Sequence, residues 1–237
     1  SNGFASLNDV PVDVLQQVLL NHVVTGTNLS TSLTTGYVKT LATEATTSNP
    51  IDMYINTSSG VVINGDVSVT GADIMVDNGV IHAVNKVIAL PTVVTFATAD
   101  STFDTLVAAL TADAGFTYVS TLSSTSSPAP FTVFAPTNGA FGDLLTELGV
   151  GGLGDIPTAT LEATLNTHVV AGANVLSTAL TDNMTVTTLG DTFTINLGSG
   201  ATFTDQNGRT GNIIVTDVQA ANGVVHVIDK VILPNLN

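Results

Sequence analysis

Cysteine and tryptophan are absent from this 237-residue chain, and basic residues are scarce. The lack of cysteine excludes disulfide bonds, thiolate nucleophiles and zinc sites built on sulfur. Only 4 Lys and Arg accompany 19 Asp and Glu, which gives a formal net charge of −15 at pH 7. A surface of this charge repels phosphate backbones and anionic lipid, so we predict no nucleic-acid partner.

Long apolar runs are missing as well. The apolar stretch Val224–Leu233 is interrupted by His226, Asp229 and Lys230, and it falls short of the roughly 18 to 20 residues that span a bilayer. We therefore predict no membrane insertion by this segment. Hydrophobic residues still make up 44% of the chain and charged residues 10%, a balance that favours a folded protein over a disordered one.

One long sequence pattern occurs twice. The segment Asn78–Pro91 returns almost unchanged as Asn222–Pro234, and a second pair of matching motifs surrounds His22 and His168. Both pairs are separated by nearly the same distance along the chain, and that distance suits a compact domain better than a solenoid repeat. The repeat therefore predicts one domain type used twice.

The first copy of the repeat is shorter than the second. We predict a partial domain lacking its N-terminal part over residues 1–91 and a complete domain over residues 92–237. The segment Phe131–Phe141 precedes His168 in the second copy, whereas in the first copy only Ser1–Phe4 match its end. Two hypotheses follow: the chain is a fragment of a longer polypeptide, or a neighbouring subunit supplies the missing strand.

Local signals predict helices in the first part of each copy. Asn8 or Asp9 is expected to cap a helix that begins near Pro11, and Pro157 is expected to open the matching helix of the second copy. Ser101 is expected to be an N-cap, with Asp104 completing a capping box.

A second set of signals predicts the elements that follow in the second copy. We expect a short helix near Tyr118–Leu122, then a buried strand over Phe131–Ala135 that ends at Pro136. Thr137 is expected to cap the next helix.

The later part of each copy alternates Thr, Val and Ile with polar residues, which is typical of an antiparallel meander. Asn64-Gly65 and Asn207-Gly208 are predicted to form type I′ hairpin turns, because both turn positions need positive φ. Asp205 at the second turn resembles the start of a calcium loop, but no later acidic ligand follows, so a hairpin tip is the preferred interpretation.

The blocks Phe131–Phe141, Thr167–Gly172, Thr187–Gly190 and Asn222–Pro234 together resemble a fasciclin-type adhesion domain, in the order typical of that family. The resemblance implies an α+β fold, a wedge-shaped β-sandwich with flanking helices, here in tandem. It also implies an extracellular or cell-surface protein that acts in adhesion. One departure is that the family often has Tyr before the first histidine of the motif, where this chain has Asn21 and Thr167.

The resemblance implies a structural role for a set of motif residues in both copies. They are His22, Asn78, Gly79, His82, Phe134, Pro136, Thr137, Asn138, Phe141, His168, Asn222, Gly223, His226 and Pro234. Paired histidines in each copy could also suggest a metal site. Because each histidine lies in a Val/Ile run without a nearby acidic cluster, packed and hydrogen-bonded histidines are the preferred interpretation, and we predict no metal.

Two acidic dipeptides are candidates for adhesion. Asp73-Ile74 resembles the Asp-Ile pair that some animal members of the family present to integrins, and Asp217-Val218 is its counterpart. The alternative for both aspartates is a turn-forming role.

Catalytic motifs are not found: no nucleophile elbow, phosphate loop with a following basic residue or carboxylate pair can be identified. We therefore predict no enzyme, no catalytic residues and no cofactor. The leading function is a structural or adhesive module that contacts other proteins or further copies of itself in a homo-oligomer. Two alternatives stay open. One is a carbohydrate-binding module, for which exposed aromatic residues would be needed, and the other is a hydrolase whose histidines would line an open pocket.

Overall fold

The computed structural model describes residues 7–198 and 200–235. The short match Ser1–Phe4 lies outside the described residues. The chain divides into two compact units, with the first ending at Pro91 and the second beginning at Thr92.

The first unit begins with a helix that leads into an antiparallel meander. Its elements are α1 (Val12–Leu20), β1 (Gly36–Thr43), β2 (Pro50–Asn56), β3 (Val62–Ile63), β4 (Val67–Val76) and β5 (Gly79–Val84). The strands follow the order β1-β2-β3-β4-β5, and every neighbouring pair is antiparallel.

The second unit places a series of helices and a strand before the same meander. Its helices are α2 (Val93–Ala99), α3 (Asp104–Leu110), α4 (Tyr118–Leu122), α5 (Asn138–Leu148) and α6 (Thr158–Asn166). Its strands are β6 (Phe131–Pro136), β7 (Val169–Ala171), β8 (Thr185–Thr187), β9 (Thr192–Asn196), β10 (Thr202–Thr204), β11 (Thr210–Ala220) and β12 (Gly223–Ile228). The order is β7-β6-β12-β11-β10-β9-β8, and β6 runs parallel to β12 while the other pairs are antiparallel.

A bulge bends the long strand of each sheet at a matching aspartate. The register shifts between Gly71 and Ile74 in β4, and between Val215 and Val218 in β11. Asp73 and Asp217 occupy these bulges with φ of 61° and 60°. Because a bulge bends and twists its strand, each sheet can fold over on itself.

The folded sheet of the second unit encloses an apolar core. The core cluster joins Phe134 and Ile228, from β6 and β12, to Phe193, Ile195 and Phe203, from β9 and β10. Side chains from the two ends of the strand order therefore face each other, which makes a β-sandwich with helices beside it. The smaller core of the first unit is built from Met53, Ile55, Ile63, Val67 and Ile88.

Several local predictions are confirmed. The helix Tyr118–Leu122 and the strand Phe131–Pro136 are present, and every residue of that strand is buried. The Thr137 side chain accepts a hydrogen bond from the Ala140 amide, as an N-cap does. Asn64 and Gly65 both have positive φ, as a type I′ turn requires.

Three local predictions are wrong. Pro11 holds the N-cap position of α1, so neither Asn8 nor Asp9 does. Asp100, and not Ser101, accepts the capping hydrogen bond from the Thr102 amide, because a 3-10 turn precedes α3 and moves the cap by one residue. The side-chain and backbone bonds of a capping box instead occur at Thr92, before α2.

The third error concerns the turn at Asn207. The Gly208 amide bonds to the Asp205 carbonyl and the Asp205 amide bonds to the Arg209 carbonyl, so the loop is one residue longer than a type I′ turn. Gly208 takes positive φ and Asn207 does not.

No single helix within residues 7–198 and 200–235 combines the length and the apolar character needed to cross a bilayer. The helices Val93–Ala99 and Ser101–Leu110 reach that combination only as a pair, which is bent by 93°. Their side chains Val93, Phe96 and Phe103 are buried in the second unit.

Candidate functional site

A Ser–Asp–His network occurs at the same place in both units. In the second unit the Asp217 carboxylate accepts hydrogen bonds from the Ser177 amide at 2.7 Å and from the Ser177 hydroxyl. The Asp217 amide donates to Nδ1 of His226 at 3.4 Å, and Nε2 of His226 donates to the Val175 carbonyl at 2.9 Å. The aspartate thus holds the strand bulge against the loop that carries the serine.

The first unit repeats this network with Ser30, Asp73 and His82. The Asp73 carboxylate accepts from the Ser30 amide at 2.8 Å and from its hydroxyl at 2.5 Å, and these bonds lower the pKa of Asp73. The Asp73 amide lies 3.4 Å from Nδ1 of His82, whose Nε2 donates to the Asn28 carbonyl at 2.8 Å.

This arrangement does not form a hydrolytic triad. A triad needs the serine hydroxyl bonded to the histidine and the aspartate bonded to the far side of the imidazole. Here each serine hydroxyl donates to the carboxylate itself, and each histidine Nε2 faces a backbone carbonyl. No imidazole nitrogen is left to accept the proton of Ser30 or Ser177.

The other pair of histidines joins the helix before each meander to the strand end that follows it. In His168, Nδ1 donates to the Thr164 carbonyl at 2.7 Å and Nε2 accepts from the Ile232 amide at 2.9 Å. His22 makes the same bonds to Val18 and Ile88, also at 2.7 and 2.9 Å. All four histidines are hydrogen-bonded, but only His168 and His226 are buried. The expectation that His22 is packed is wrong, because the residue is exposed.

A metal site and a sugar-binding surface would each need a particular group of side chains. In the part of the chain that the structure describes, no three His, Asp or Glu side chains cluster as metal ligands would. Stacking on sugars needs exposed aromatic rings. The phenylalanines with less than 2% exposure are Phe96, Phe103, Phe131, Phe134, Phe141, Phe193 and Phe203.

The hairpin tip at Asp205 has its carboxylate fully engaged. It accepts from the amides of Asn207, Arg209 and Leu233 and from the Arg209 guanidinium at 2.9 Å. These bonds fix the turn, in agreement with the hairpin-tip interpretation.

In the second unit, neighbouring elements pack closely against β12 and the residue before it. Gly223 lies against β6 so closely that an added Cβ would be 2.1 Å from the Phe131 carbonyl oxygen. Phe134 fills the core next to His226, with ring centroids 5.3 Å apart. Asn222 donates to the carbonyls of Leu122 and Ser124 and accepts from the Val93 amide.

The matching positions of the first unit are open. An added Cβ at Gly79 would meet no atom within 4 Å, and Asn78 is exposed. Beside β5 lies a groove of about 440 Å³, lined by residues that include His22, His82 and Val80. In the second unit a cavity of about 90 Å³ is lined by residues that include Thr132, Phe134 and Val170.

Exposed apolar side chains mark the same part of the first unit. Ile74, Met75, Val76, Ile81 and Val87 are 41 to 68% exposed. We call this group of residues the open face, and it includes both sides of the β4–β5 hairpin, because Ile74 pairs with Ile81 whereas the next residue, Met75, pairs with Val80. Their counterparts in the repeat are buried: they are Val218, Gln219, Ala220, Val225 and Val231. A cluster of exposed apolar residues is typical of a surface that binds another protein.

The family is decided by comparison with known proteins. The family model named Fasciclin domain matches residues 4–91 and 101–234. The chain belongs to the fasciclin domain family. This family is known for cell adhesion, and its domain occurs here in tandem.

Fasciclin relatives include both short and long proteins. The chain is 35% identical over 148 residues to the uncharacterized protein sll1735 of Synechocystis sp., covering 61% of this chain and 98% of that protein. It is 33% identical over 179 residues to the transforming growth factor-beta-induced protein ig-h3 of Oryctolagus cuniculus. That match covers 75% of this chain but only 25% of the relative.

A solved fasciclin structure shares the fold. The FAS1 domain pair of the insect cell adhesion molecule fasciclin I aligns with a TM-score of 0.55, over 92% of this chain and 80% of that one. At 17% identity this likeness concerns the fold alone. The predicted α+β class, a β-sandwich with flanking helices, is confirmed.

The structure distributes the fasciclin motif residues differently in the two units. In the second unit Phe134, Pro136, Phe141, His168, Asn222, Gly223, His226 and Pro234 are buried. Thr137 caps α5, and Asn138 bonds to the Thr105 amide and the Ser101 carbonyl. In the first unit His22 and Asn78 are exposed, while Gly79 and His82 are half-buried.

The adhesion candidates also differ in exposure between the two units. Ile74 is 48% exposed, whereas Val218 is 3% exposed. Asp73 and Asp217 lie in the two bulges, and each binds a serine.

Sequence reasoning missed two of the site residues, Ser30 and Ser177. Both lie in a Leu-Ser-Thr tripeptide, at nearly the spacing of the histidine pairs. A repeat comparison extended to that tripeptide would have identified them.

Proposed function

We propose that this chain is an extracellular or cell-surface structural module whose open face mediates protein–protein contacts, including contacts between copies. The observation that carries the proposal is the open face itself: five apolar side chains are exposed where their repeat counterparts are buried. Burial of apolar surface is the main driving force of protein association.

The electrostatics of the chain are compatible with this proposal. A net charge of −15 keeps the protein in solution and disfavours nonspecific association between copies. Contacts at the open face therefore depend on apolar complementarity. Fasciclin domains in tandem can combine weak contacts through effective concentration.

The test compares a variant of the open face with a matched variant elsewhere. Beads coated with the 237-residue chain are mixed with one another and with intact source cells, and attachment is counted. We expect Met75→Asp combined with Ile81→Asp to reduce attachment to the level of uncoated beads, because a charge opposes burial of both positions.

Ile214→Asp is the control, because Ile214 is a similarly exposed apolar residue of the second unit, at 52%. It is expected to attach like the unchanged chain. Equal attachment by the double variant and the control would contradict the proposal.

A further inference from the structure

We propose that the cavity of about 90 Å³ in the second unit binds a small neutral molecule through a compact aliphatic group of about four carbon atoms. The inference goes beyond the proposed function and does not rest on it. The cavity is in the second unit, whereas the open face belongs to the first.

The cavity lies beside the two end strands of the seven-stranded sheet. Val170 of β7 and Val186 of β8 both line it, although these strands stand at opposite ends of the strand order. The Leu189 amide, just beyond β8, donates to the Val169 carbonyl of β7 at 2.8 Å. Among the described residues β7 and β8 are not paired with each other as strands, so a gap remains between them.

The lining of this gap is mainly apolar. Six of the lining residues belong to the core cluster of the second unit or pack against it: Phe134, Val170, Val175, Leu180, Met184 and Val186. An apolar lining of this kind favours an aliphatic ligand over water.

The polar atoms at the cavity are already paired within the protein. The Thr132 hydroxyl donates to the Ala173 carbonyl at 2.8 Å and accepts from the Val175 amide at 2.9 Å. Throughout the part of the chain that the structure describes, every buried side-chain nitrogen or oxygen has a hydrogen-bond partner. Because a buried water needs polar partners, the cavity is expected to stay dry and to accept an apolar group.

One wall of the cavity is a loop, residues 172–184, which side chains hold in place. His226 bonds to the Val175 carbonyl, and Asp217 accepts from the Ser177 amide. Asn174 and Gln219 exchange two amide hydrogen bonds, of 3.1 and 3.0 Å. The Ser–Asp–His network of the second unit thus keeps the cavity preformed, which lowers the cost of binding.

The size and the charge of the site decide the class of ligand. An engineered apolar cavity of about 150 Å³ holds benzene, so a cavity of about 90 Å³ suits a smaller group such as isobutyl. Thr185 and Thr187 line the cavity and are exposed, which leaves a polar head group access to water. The net charge of −15 disfavours an anionic head group.

The experiment uses the complete chain, with ¹³C-labelled methyl groups in Met, Leu and Val, and isobutanol as the probe. Two-dimensional NMR follows each methyl signal during the titration. We expect saturable shifts at Met184, Val170 and Leu180, with half-saturation at roughly 1 to 10 mM. Val24 and Val38 line the groove of the first unit and report binding there.

Val170→Ile and Val186→Ile each add one methyl group to the lining, from opposite strands. Each is expected to weaken isobutanol binding at least about tenfold, because the added methyl takes space that the ligand needs. Using both variants guards against the misfolding of either one. Val119→Ile is the control, since Val119 is 40% exposed on α4, and it is expected to leave the affinity unchanged.

Sodium isovalerate tests the charge of the ligand, because it has the same branched end as isobutanol and carries a carboxylate. It is expected to bind at least about tenfold more weakly. Equal binding of the two probes would contradict a neutral ligand.

Three other results would overturn the inference. The first is no saturable shift of Met184 up to about 100 mM isobutanol. The second is an unchanged affinity in both Val170→Ile and Val186→Ile. The third is a shift at Val24 and Val38 without one at Met184, which would place the binding in the first unit.

Discussion

His168 shows at the residue scale how a hydrogen-bond pattern fixes a protonation state. Its Nε2 accepts from the Ile232 amide, so this nitrogen cannot carry a proton without losing that bond. Burial, assisted by the nearby Arg209 charge, lowers the pKa of His168 to about 4, although the bond to the Thr164 carbonyl acts in the opposite direction. The folded second unit therefore holds His168 neutral.

This lowered pKa predicts a pH dependence of stability. Between pH 6.5 and about 4 the unfolded chain binds a proton at His168 that the folded chain does not bind. Above pH 6.5 His168 is neutral in both states and does not change the free energy of unfolding. As the pH falls towards 4, protonation of His168 in the unfolded chain lowers the free energy of unfolding by roughly 3 kcal/mol. Urea unfolding measured across this pH range should show that the free energy of unfolding depends less steeply on pH in His168→Gln than in the unchanged chain.

Glutamine suits this test because it can donate to Thr164 and accept from Ile232. His22→Gln is the control, because His22 makes equivalent bonds in an exposed position. An unchanged slope in His168→Gln would contradict the assignment.

Gly79 and Gly223 make a second contrast at this scale. Gly223 must be a glycine because a Cβ would clash with Phe131, whereas a Cβ at Gly79 would meet open space. Identity in the repeat therefore does not mean identity of environment, and only the neighbouring strand distinguishes the two.

At the element scale, Asn222 links the meander of the second unit to its helices. It bonds to α2 through the Val93 amide, and to the end of α4 through the carbonyls of Leu122 and Ser124. Asn222→Ala would leave these buried groups without partners, which we expect to cost about 2 to 4 kcal/mol of unfolding free energy. Hydrogen exchange of the slowest amides in β12 measures this change.

Asn78→Ala is the paired variant in the first unit. Because Asn78 is exposed, the expected change is within about 0.5 kcal/mol. Similar losses for the two variants would show that Asn222 does not join these elements.

Elements with local signals were predictable from the sequence. The strand at Phe131 combines an apolar run with a proline stop, and Thr137 is a good N-cap directly after it. The errors at Ser101 and Asn207 arose because a 3-10 turn and a one-residue-longer loop shift the register by one position. Such shifts depend on φ values that the residue types alone do not determine.

Contacts between distant elements were less predictable. The Ser177–Asp217 bond joins residues separated by 40 positions, and no local pattern marks it. The motif histidines were identified through the repeat and the family resemblance, and their Val/Ile context predicted packing for all four, yet His22 is exposed. His22 and His168 have the same bonds and differ in exposure because burial depends on what packs across them.

At the scale of the whole molecule, two units of one fold differ in how much of the sheet is covered. Ile81 and Val225 are alike as residues, but one is 51% exposed and the other 5%. The composition of the chain does not reveal that difference, because it is set by β6 and the helices packed beside it. The proposed contact function depends on this difference.

Hydrogen exchange mass spectrometry of the intact chain at neutral pH tests that claim most directly, because it compares Gly79–Val84 with Gly223–Ile228 in one sample. Protection of amides follows burial and pairing. We expect the amides of Gly79–Val84 to exchange at least about tenfold faster than those of Gly223–Ile228. Equal and strong protection of both segments would mean that β5 is covered, and would contradict the proposed contact function of the open face.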